Sequence, residues 1–233
     1  MLFIPWGNRV MILLLRTQHV WLSPINTPTP PGGPIRLVVF LSIAIILMLG
    51  GLQQVNWEVN AALNETCYID SSRSILCLQG NLPVYGVAVE SPEDISSTIR
   101  FATSHNLRLV IKNTGHDYLG RSTASGALSI WTHKMQNITF SDNFVPYGGK
   151  NGVGTTVTIS AGVQLANLYY AVGQQNQSVV AGFAYTVGAA GGYIQGGGHS
   201  PMANWKGQST DNAVEFNVVT ANVFSIFLTR IDE

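Results

Sequence analysis

Between residues 82 and 222, short apolar runs of period two alternate with apolar stripes at helical spacing, and this predicts strands interleaved with helices. Val84–Val89 (Val-Tyr-Gly-Val-Ala-Val) predicts a strand. Ser91-Pro-Glu-Asp then reads as a helix start: Ser91 as N-cap, Pro92 in the first turn, and two acids at the positive end of the helix dipole. Ile95, Ile99 and Ala102 continue that helix as a buried stripe, and His105 closes it as a solvated residue of the last turn. Leu107–Ile111 is a short β-branched run and predicts a buried strand. Ala127–Trp131 and Thr155–Ser160 alternate as half-buried strands. Gln164–Gln174 predicts a helix with Leu165, Leu168 and Tyr169 inward, and the polar, Gly-rich stretch Asn143–Gly154 predicts a loop. The fold class this implies is α+β.

The first 80 residues follow a different pattern. Residues 1–36 show only apolar scraps, and Thr27–Pro34 holds four prolines in eight residues, so this part is expected to be a disordered lead. Leu37–Leu52 is a run of sixteen residues without a charge, apolar on every face, with only Arg9, Arg16 and Arg36 as charges before it. That length lies between a signal-peptide core of about 7–15 residues and a spanning helix of about 20. The run is therefore expected to be a signal anchor or a signal-peptide core, with the remainder of the chain passed to the lumen or exterior. A secreted or membrane-anchored product follows, touching the membrane through 37–52 if that segment is uncleaved. Residues 53–80 form a pre-domain segment. It contains the only two cysteines, Cys67 and Cys77, which read either as one disulfide or as two free thiols. Asn64, Asn137 and Asn176 each fit the N-glycosylation pattern.

Composition narrows the reading. Of 233 residues 46% are hydrophobic and 10% charged, with a net charge of zero. The charged fraction is far below the usual ~25%, as expected of an apolar segment joined to a Gly-rich domain. Without a basic cluster, nucleic acid is not expected as a partner. Neither His133 nor His199 stands at ligand spacing from another His, Cys or acid, so no metal is assigned. No Ser-His-Asp set, carboxylate pair or Walker loop is present.

Two stretches carry candidate chemistry. In the first, the strand Leu107–Ile111 breaks at Asn113-Thr114-Gly115, with Lys112 and Arg121 on either side and His116 directly after the glycine. A glycine that takes positive φ brings backbone N–H groups close to an anion, and flanking cations suit a phosphate. Alone, these residues are read more simply as a surface turn. The second stretch, Ala181–His199, tips the balance. It contains Gly182, Gly188, Gly191, Gly192, Gly196, Gly197 and Gly198 among Phe, Val, Tyr and Ile, unlike the Ser-rich, polar composition of a flexible linker. Such a segment lets backbone approach a large flat ligand.

Together the stretches resemble the FAD domain of the vanillyl-alcohol oxidase / p-cresol methylhydroxylase (PCMH-type) superfamily, and within it the berberine-bridge-enzyme-like oxidoreductases. Val110–Thr123 (Val-Ile-Lys-Asn-Thr-Gly-His-Asp-Tyr-Leu-Gly-Arg-Ser-Thr) is similar to the segment whose histidine bonds covalently to the flavin ring. Thr186–His199 resembles the second flavin loop, and Gly207–Val214 the strand start after it. The likeness covers roughly 64–222. It implies FAD as cofactor, held by Lys112, Asn113, Thr114, Gly115, His116, Asp117, Gly120, Arg121 and Ser122. From the second loop it implies Thr186, Val187, Gly188, Gly192, Gly196, Gly197, Gly198 and His199, with the covalent bond at His116. Many relatives add a second bond from a cysteine where this chain has Ala184, so the resemblance implies attachment through His116 alone. It also supports pairing Cys67 with Cys77. Val187 stands where the family's oxidases carry a valine, which favours molecular oxygen as acceptor.

The function implied is an FAD-dependent oxidoreductase, or its N-terminal part, taking a hydride from a small organic substrate and passing electrons to oxygen. No residue is assigned as a catalytic acid or base. The alternative is a non-catalytic, membrane-anchored fragment or pseudoenzyme, since the likeness stops at Asn222 and Val223–Glu233 is an unmatched tail. On this reading 81–222 is a partial FAD-binding domain. Its strand over Ala213–Ala221 is expected to present an unpaired, Val-rich edge.

Overall fold

The computed structural model describes residues 58–229 except 69, 77 and 79, together with the backbone of four strand segments between 3 and 24. The apolar run 37–52, Cys77 and residues 230–233 lie outside the described residues. In chain order the first strands are β1 (Phe3–Trp6), β2 (Arg9–Ile12), β3 (Leu14–Trp21) and β4 (Ser23–Pro24), followed by the small hairpin β5 (Val59–Asn60) and β6 (Glu65–Thr66). Among the described residues no helix is long and apolar enough to cross a membrane.

A parallel sheet comes next. β7 (Tyr85–Ala88) leads into α1 (Pro92–Ser104), which returns the chain to β8 (Leu109–Lys112) and then β9 (Leu128–Trp131). The strand order is β7-β9-β8, with every neighbour parallel. α1 begins where the sequence predicts it. Ser91 Oγ accepts from Asp94 N at 3.2 Å, and Asp94 Oδ2 accepts from Ser91 N and Glu90 N, each at 3.0 Å. Those bonds hold the Asp94 carboxyl below its ordinary value, the one from Glu90 most. Ile95 and Ile99 pack with Val89, Ile130, Met135 and Ala161. β9, expected to be half-buried, is buried from Leu128 through Ile130. It is the middle strand of the parallel sheet, with β7 and β8 on either side, so even Ser129 between the apolar positions is only 5% exposed.

The second layer is antiparallel. β10 (Ile138–Ser141) pairs with β11 (Thr156–Ser160), and α2 (Leu165–Gln174) packs Leu165, Leu168 and Val172 against Val157 and Ile159. β12 (Gln177–Ser178), the short α3 (Ala203–Lys206), β13 (Ala213–Val219) and β14 (Ser225–Thr229) complete the chain. The sheet order is β10-β11-β3-β13-β14.

β1 to β4 lie within residues 1–36, and β3 runs between β11 and β13. Its partners are far away in sequence, so non-local backbone pairing decides its conformation and the local pattern does not reveal it. The strand over Ala213–Ala221 has no bare edge, since β13 pairs with β3 on one side and β14 on the other. The tail turns back through Val223 at φ 61, with Val223 N donating to Thr220 O at 2.9 Å and Thr220 N to Phe224 O at 2.8 Å.

Ile130 is fully buried at the junction of α1 and the parallel sheet. Ile130→Ala is expected to lower unfolding free energy by about 2–5 kcal/mol, read from urea denaturation of the 233-residue chain. A loss below about 0.5 kcal/mol would contradict the packing described.

Candidate functional site

β8 and β9 end level, with Lys112 opposite Trp131, so the chain leaves the sheet at Asn113 beside the indole. Open α/β sheets bind ligands beyond such carboxyl ends. Asn113 is bonded through its backbone carbonyl and through both ends of its carboxamide. Its backbone carbonyl accepts from Trp131 Nε1 at 2.9 Å, its Nδ2 donates to Ala161 O at 3.0 Å, and its Oδ1 accepts from His133 Nδ1 at 3.1 Å. The loop then turns at Gly115, φ 91, and again at Gly120, φ 70, a region costly for any residue with a Cβ.

Asp117 and Arg121 lock this loop internally. Asp117 Oδ2 accepts from Arg121 N at 2.6 Å and Nε at 2.9 Å, and Oδ1 accepts from Nη2 at 2.6 Å. The hydrogen bonds from the Arg121 side chain hold the Asp117 carboxyl below its ordinary value of 3.8, against the opposing effect of burial. The same contact raises the guanidinium.

The loop walls a cavity of about 750 Å³, within the roughly 300–1,000 Å³ typical of small-molecule sites. Of the residues implied by the sequence, Lys112, Thr114, Gly115, Asp117, Gly120 and Ser122 line it. Arg121 does not, because its guanidinium is turned onto Asp117. Sequence reading missed part of the wall: Gly86 and Ala88 of β7, Ser129 and Trp131 of β9, and Leu82, Pro83 and Thr123. The signal available was Gly86 and Ala88, small residues two apart in a strand and therefore on one face, where they leave room for a ligand.

The second glycine-rich loop divides in two. Thr186 to Gly188 meets the first loop: His116 Nε2 lies 2.8 Å from Thr186 Oγ1, and a Cβ on Gly188 would overlap Asn113 Nδ2. This part is pinned to the start of α2, where Leu165 N donates to Val187 O and Ala166 N to Tyr185 O, each at 2.9 Å. Gln164 Nε2 adds a bond to Thr186 O at 2.9 Å. Beyond an irregular turn over Ala189–Tyr193, the part containing Gly196, Gly197, Gly198 and His199 turns to the segment before β13. Ser209 N donates to Gly198 O at 2.9 Å and Thr210 N to Gly197 O at 3.1 Å. Tyr193 OH donates to His199 O at 2.8 Å, and its ring fills the space that a Cβ on Gly182 or Gly198 would need. These glycines thus make room for Tyr193 and Ser209. Tyr169 is pushed up to about 12 by burial and donates to Gly182 O at 2.6 Å. Gly192 is exposed on this turn.

A glycine-turned loop beyond the carboxyl ends of parallel strands, walling a large cavity, suits a dinucleotide, and comparison with known proteins identifies the class. The chain belongs to the FAD binding domain family, which matches residues 83–222. It is 57% identical over 174 residues to an uncharacterized FAD-linked oxidoreductase of Arthroderma benhamiae, covering 74% of this chain and 30% of that protein. It is 44% identical over 172 residues to the flavin-dependent oxygenase ucdF of Aspergillus ustus, covering 74% and 31%. Its fold resembles the crystal structure of the VAO-type flavoprotein MtVAO615 from Myceliophthora thermophila C1, with TM-score 0.62, 42% identity and coverage of 66% and 27%. The chain spans about 30% of the length of the curated relatives it matches. The fold is that of a PCMH-type FAD-binding domain, and its cofactor is FAD. The site suits that group: a large cavity with small residues in its wall, a lysine at its rim, and a loop turned by two glycines that lets backbone line the cavity.

Two outcomes follow. Gly188→Ala is expected to displace Asn113 or the loop and destabilise the domain by about 1–3 kcal/mol, with altered Trp131 fluorescence; an unchanged spectrum and melting temperature would contradict the contact. Asp117 has a folded-state pKa below its unfolded value, so its contribution is present above about pH 3.8 and is lost as pH falls through the lower folded value. The pair is partly exposed and screened, so it contributes under about 1 kcal/mol. The stability difference between wild type and Asp117→Asn should shrink on acidification below that window; a difference that grows there would oppose the assignment.

Proposed function

We propose that this chain serves a FAD-dependent oxidoreductase of oxidase type, in which a small organic substrate gives a hydride to flavin and molecular oxygen is the final acceptor. The observation that carries the reading is the meeting of the two loops at His116 and Thr186, at the exit of the loop that walls the large cavity. Relatives named as FAD-linked oxidoreductases and as a flavin-dependent oxygenase support flavin redox chemistry.

Lys112, Thr114, Gly115, Gly120 and Ser122 would hold the phosphate-bearing part of the cofactor: Lys112 by charge, the glycines by close backbone approach, the hydroxyls by hydrogen bonds. Asp117 and Arg121 would stiffen the loop that does this, their charges satisfied by one another. His116, exposed and at the end of that loop, would tether the ring, and Val187 would lie beside it. The chemistry supplied by bound FAD is acceptance of a hydride and delivery of the electron pair to oxygen. The chain's own contribution is to bind and orient.

Export belongs to the same proposal. The disulfide-bonded state of Cys67 supports pairing with Cys77, the only other cysteine. Asn64, Asn137 and Asn176 are all exposed, as glycan acceptors must be. The run 37–52 would direct the chain to the membrane or through it.

In the 233-residue chain incubated with FAD, tryptic mass spectrometry is expected to find flavin only on the peptide containing His116, and His116→Ala is expected to leave any bound flavin extractable by acid. Flavin on another peptide would overturn the tether. Non-reducing mapping of exported protein should give a Cys67–Cys77 peptide, and reduction should lower stability by about 2–3 kcal/mol for a loop of about ten residues. Free thiols at both positions would oppose the export reading.

A further inference from the structure

We infer that Thr186 is the positioning residue for covalent flavin attachment: it holds the His116 imidazole through Nε2 and leaves Nδ1 as the nitrogen that bonds to the flavin. The inference rests on the reading of His116 as the tether and deepens it.

The geometry is specific. His116 lies in an exposed loop, where an imidazole is free to rotate about both side-chain torsions unless something fixes it. Its hydrogen-bond partner is Thr186 Oγ1, 2.8 Å from Nε2 and seventy residues away in sequence. Thr186 stands on a stiff base. Its carbonyl accepts from Gln164 Nε2, the carbonyls on either side of it, at Tyr185 and Val187, accept from Ala166 N and Leu165 N, and Gly188 forms a bridge with Gln164. A threonine so held offers a fixed oxygen, and a β-branched side chain has few rotamers to lose. The neighbouring acid, Asp117, cannot take this role because both of its oxygens are committed to Arg121.

In a neutral imidazole one nitrogen carries the proton and the other the lone pair, and the bond made by one selects the tautomer. Thr186 Oγ1 serves either tautomer; in the one where Nε2–H donates to it, the lone pair is on Nδ1, unblocked, and this is the form we assign to the reaction. The covalent step balances as follows. Nδ1 bonds to the carbon of a ring methyl group, that methyl loses one hydrogen, and the imidazole loses its Nε2 proton. The electron pair of the broken C–H bond and both protons are taken up by the ring, which is thereby reduced by two electrons. Molecular oxygen reoxidises it and leaves as hydrogen peroxide, one per bond formed. Positive charge grows on the imidazole as Nδ1 attacks, and the Nε2–H···Oγ1 bond strengthens at that moment, which is what a positioning residue must do to speed the step.

The test uses the full 233-residue chain with FAD and air, comparing wild type, Thr186→Val, Thr186→Ser and His116→Ala. Four quantities are followed: non-covalent FAD affinity from flavin fluorescence, the rate of acid-stable flavin incorporation, peroxide released per flavin attached, and melting temperature. Thr186→Val, the same shape without the hydroxyl, is expected to keep its melting temperature while incorporation, measured at saturating FAD, slows by roughly ten- to hundredfold. Thr186→Ser should recover most of the rate, which a role in packing alone would not produce. Peptide fragmentation should place the bond at Nδ1. Incorporation by Thr186→Val at the wild-type rate, or a bond at Nε2, overturns the inference while leaving the tether standing. Wild type that takes up FAD without any acid-stable flavin overturns the tether, and the inference with it. Should Thr186→Val melt early, Thr186→Ser decides alone: a slow serine variant of wild-type stability contradicts the role of the hydroxyl.

Discussion

The carboxamide of Asn113 is the fixed point of this structure. It is held by the imidazole of His133 and the carbonyl of Ala161, the backbone carbonyl of the same residue is held by the indole of Trp131, and the missing side chain of Gly188 makes room for it. Each partner comes from a different part of the fold: the end of the parallel sheet, the turn after it, the segment beyond β11, and the second glycine-rich loop. A half-buried amide bonded through both its oxygen and its nitrogen is costly to disturb. The two layers are therefore registered to each other at the place where the cofactor loop begins. His116 and Thr186 meet because Asn113 and Gly188 already do.

Much of this was legible in the sequence because the signals were local. Ser91, Pro92 and Asp94 announce a helix start by their own chemistry, and the structure forms that capping box. The apolar stripe Ile95–Ile99–Ala102 needs only its spacing to be read, and so do Leu165 and Leu168. What stayed hidden depends on partners far along the chain. The central place of β9 between β7 and β8, the insertion of β3 between β11 and β13, and the pairing of β14 are decided by the sheet rather than by the residues within each strand. The site divides along the same line. Residues 112–122 could be picked out from one glycine, two cations and a histidine, but the turning of Arg121 onto Asp117 requires the loop's geometry. Gly196, Gly197 and Gly198 resemble a cofactor loop in composition, yet their space is taken up by Tyr193, Ser209 and Gln208.

The glycines therefore fall into two groups with different physical duties. Gly115 and Gly120 are needed for backbone conformation, since their φ values of 91 and 70 are unfavourable for other residues. Gly188 has an ordinary φ and is needed for space. In the first group a substitution strains the chain itself; in the second it collides with a neighbour that belongs to another element.

The mutual satisfaction of Asp117 and Arg121 has an electrostatic consequence for the cofactor. A loop that cancels its own acid against its own base presents little net field to an incoming anion, and Lys112 is left as the cation at the cavity rim. Long-range attraction of a dinucleotide is correspondingly weak, and its capture depends on shape and short-range N–H contacts that salt screens poorly. A domain built this way gains speed of loading from neither charge nor steering. A permanent bond to the ring is one means by which it could keep a ligand that it is slow to collect.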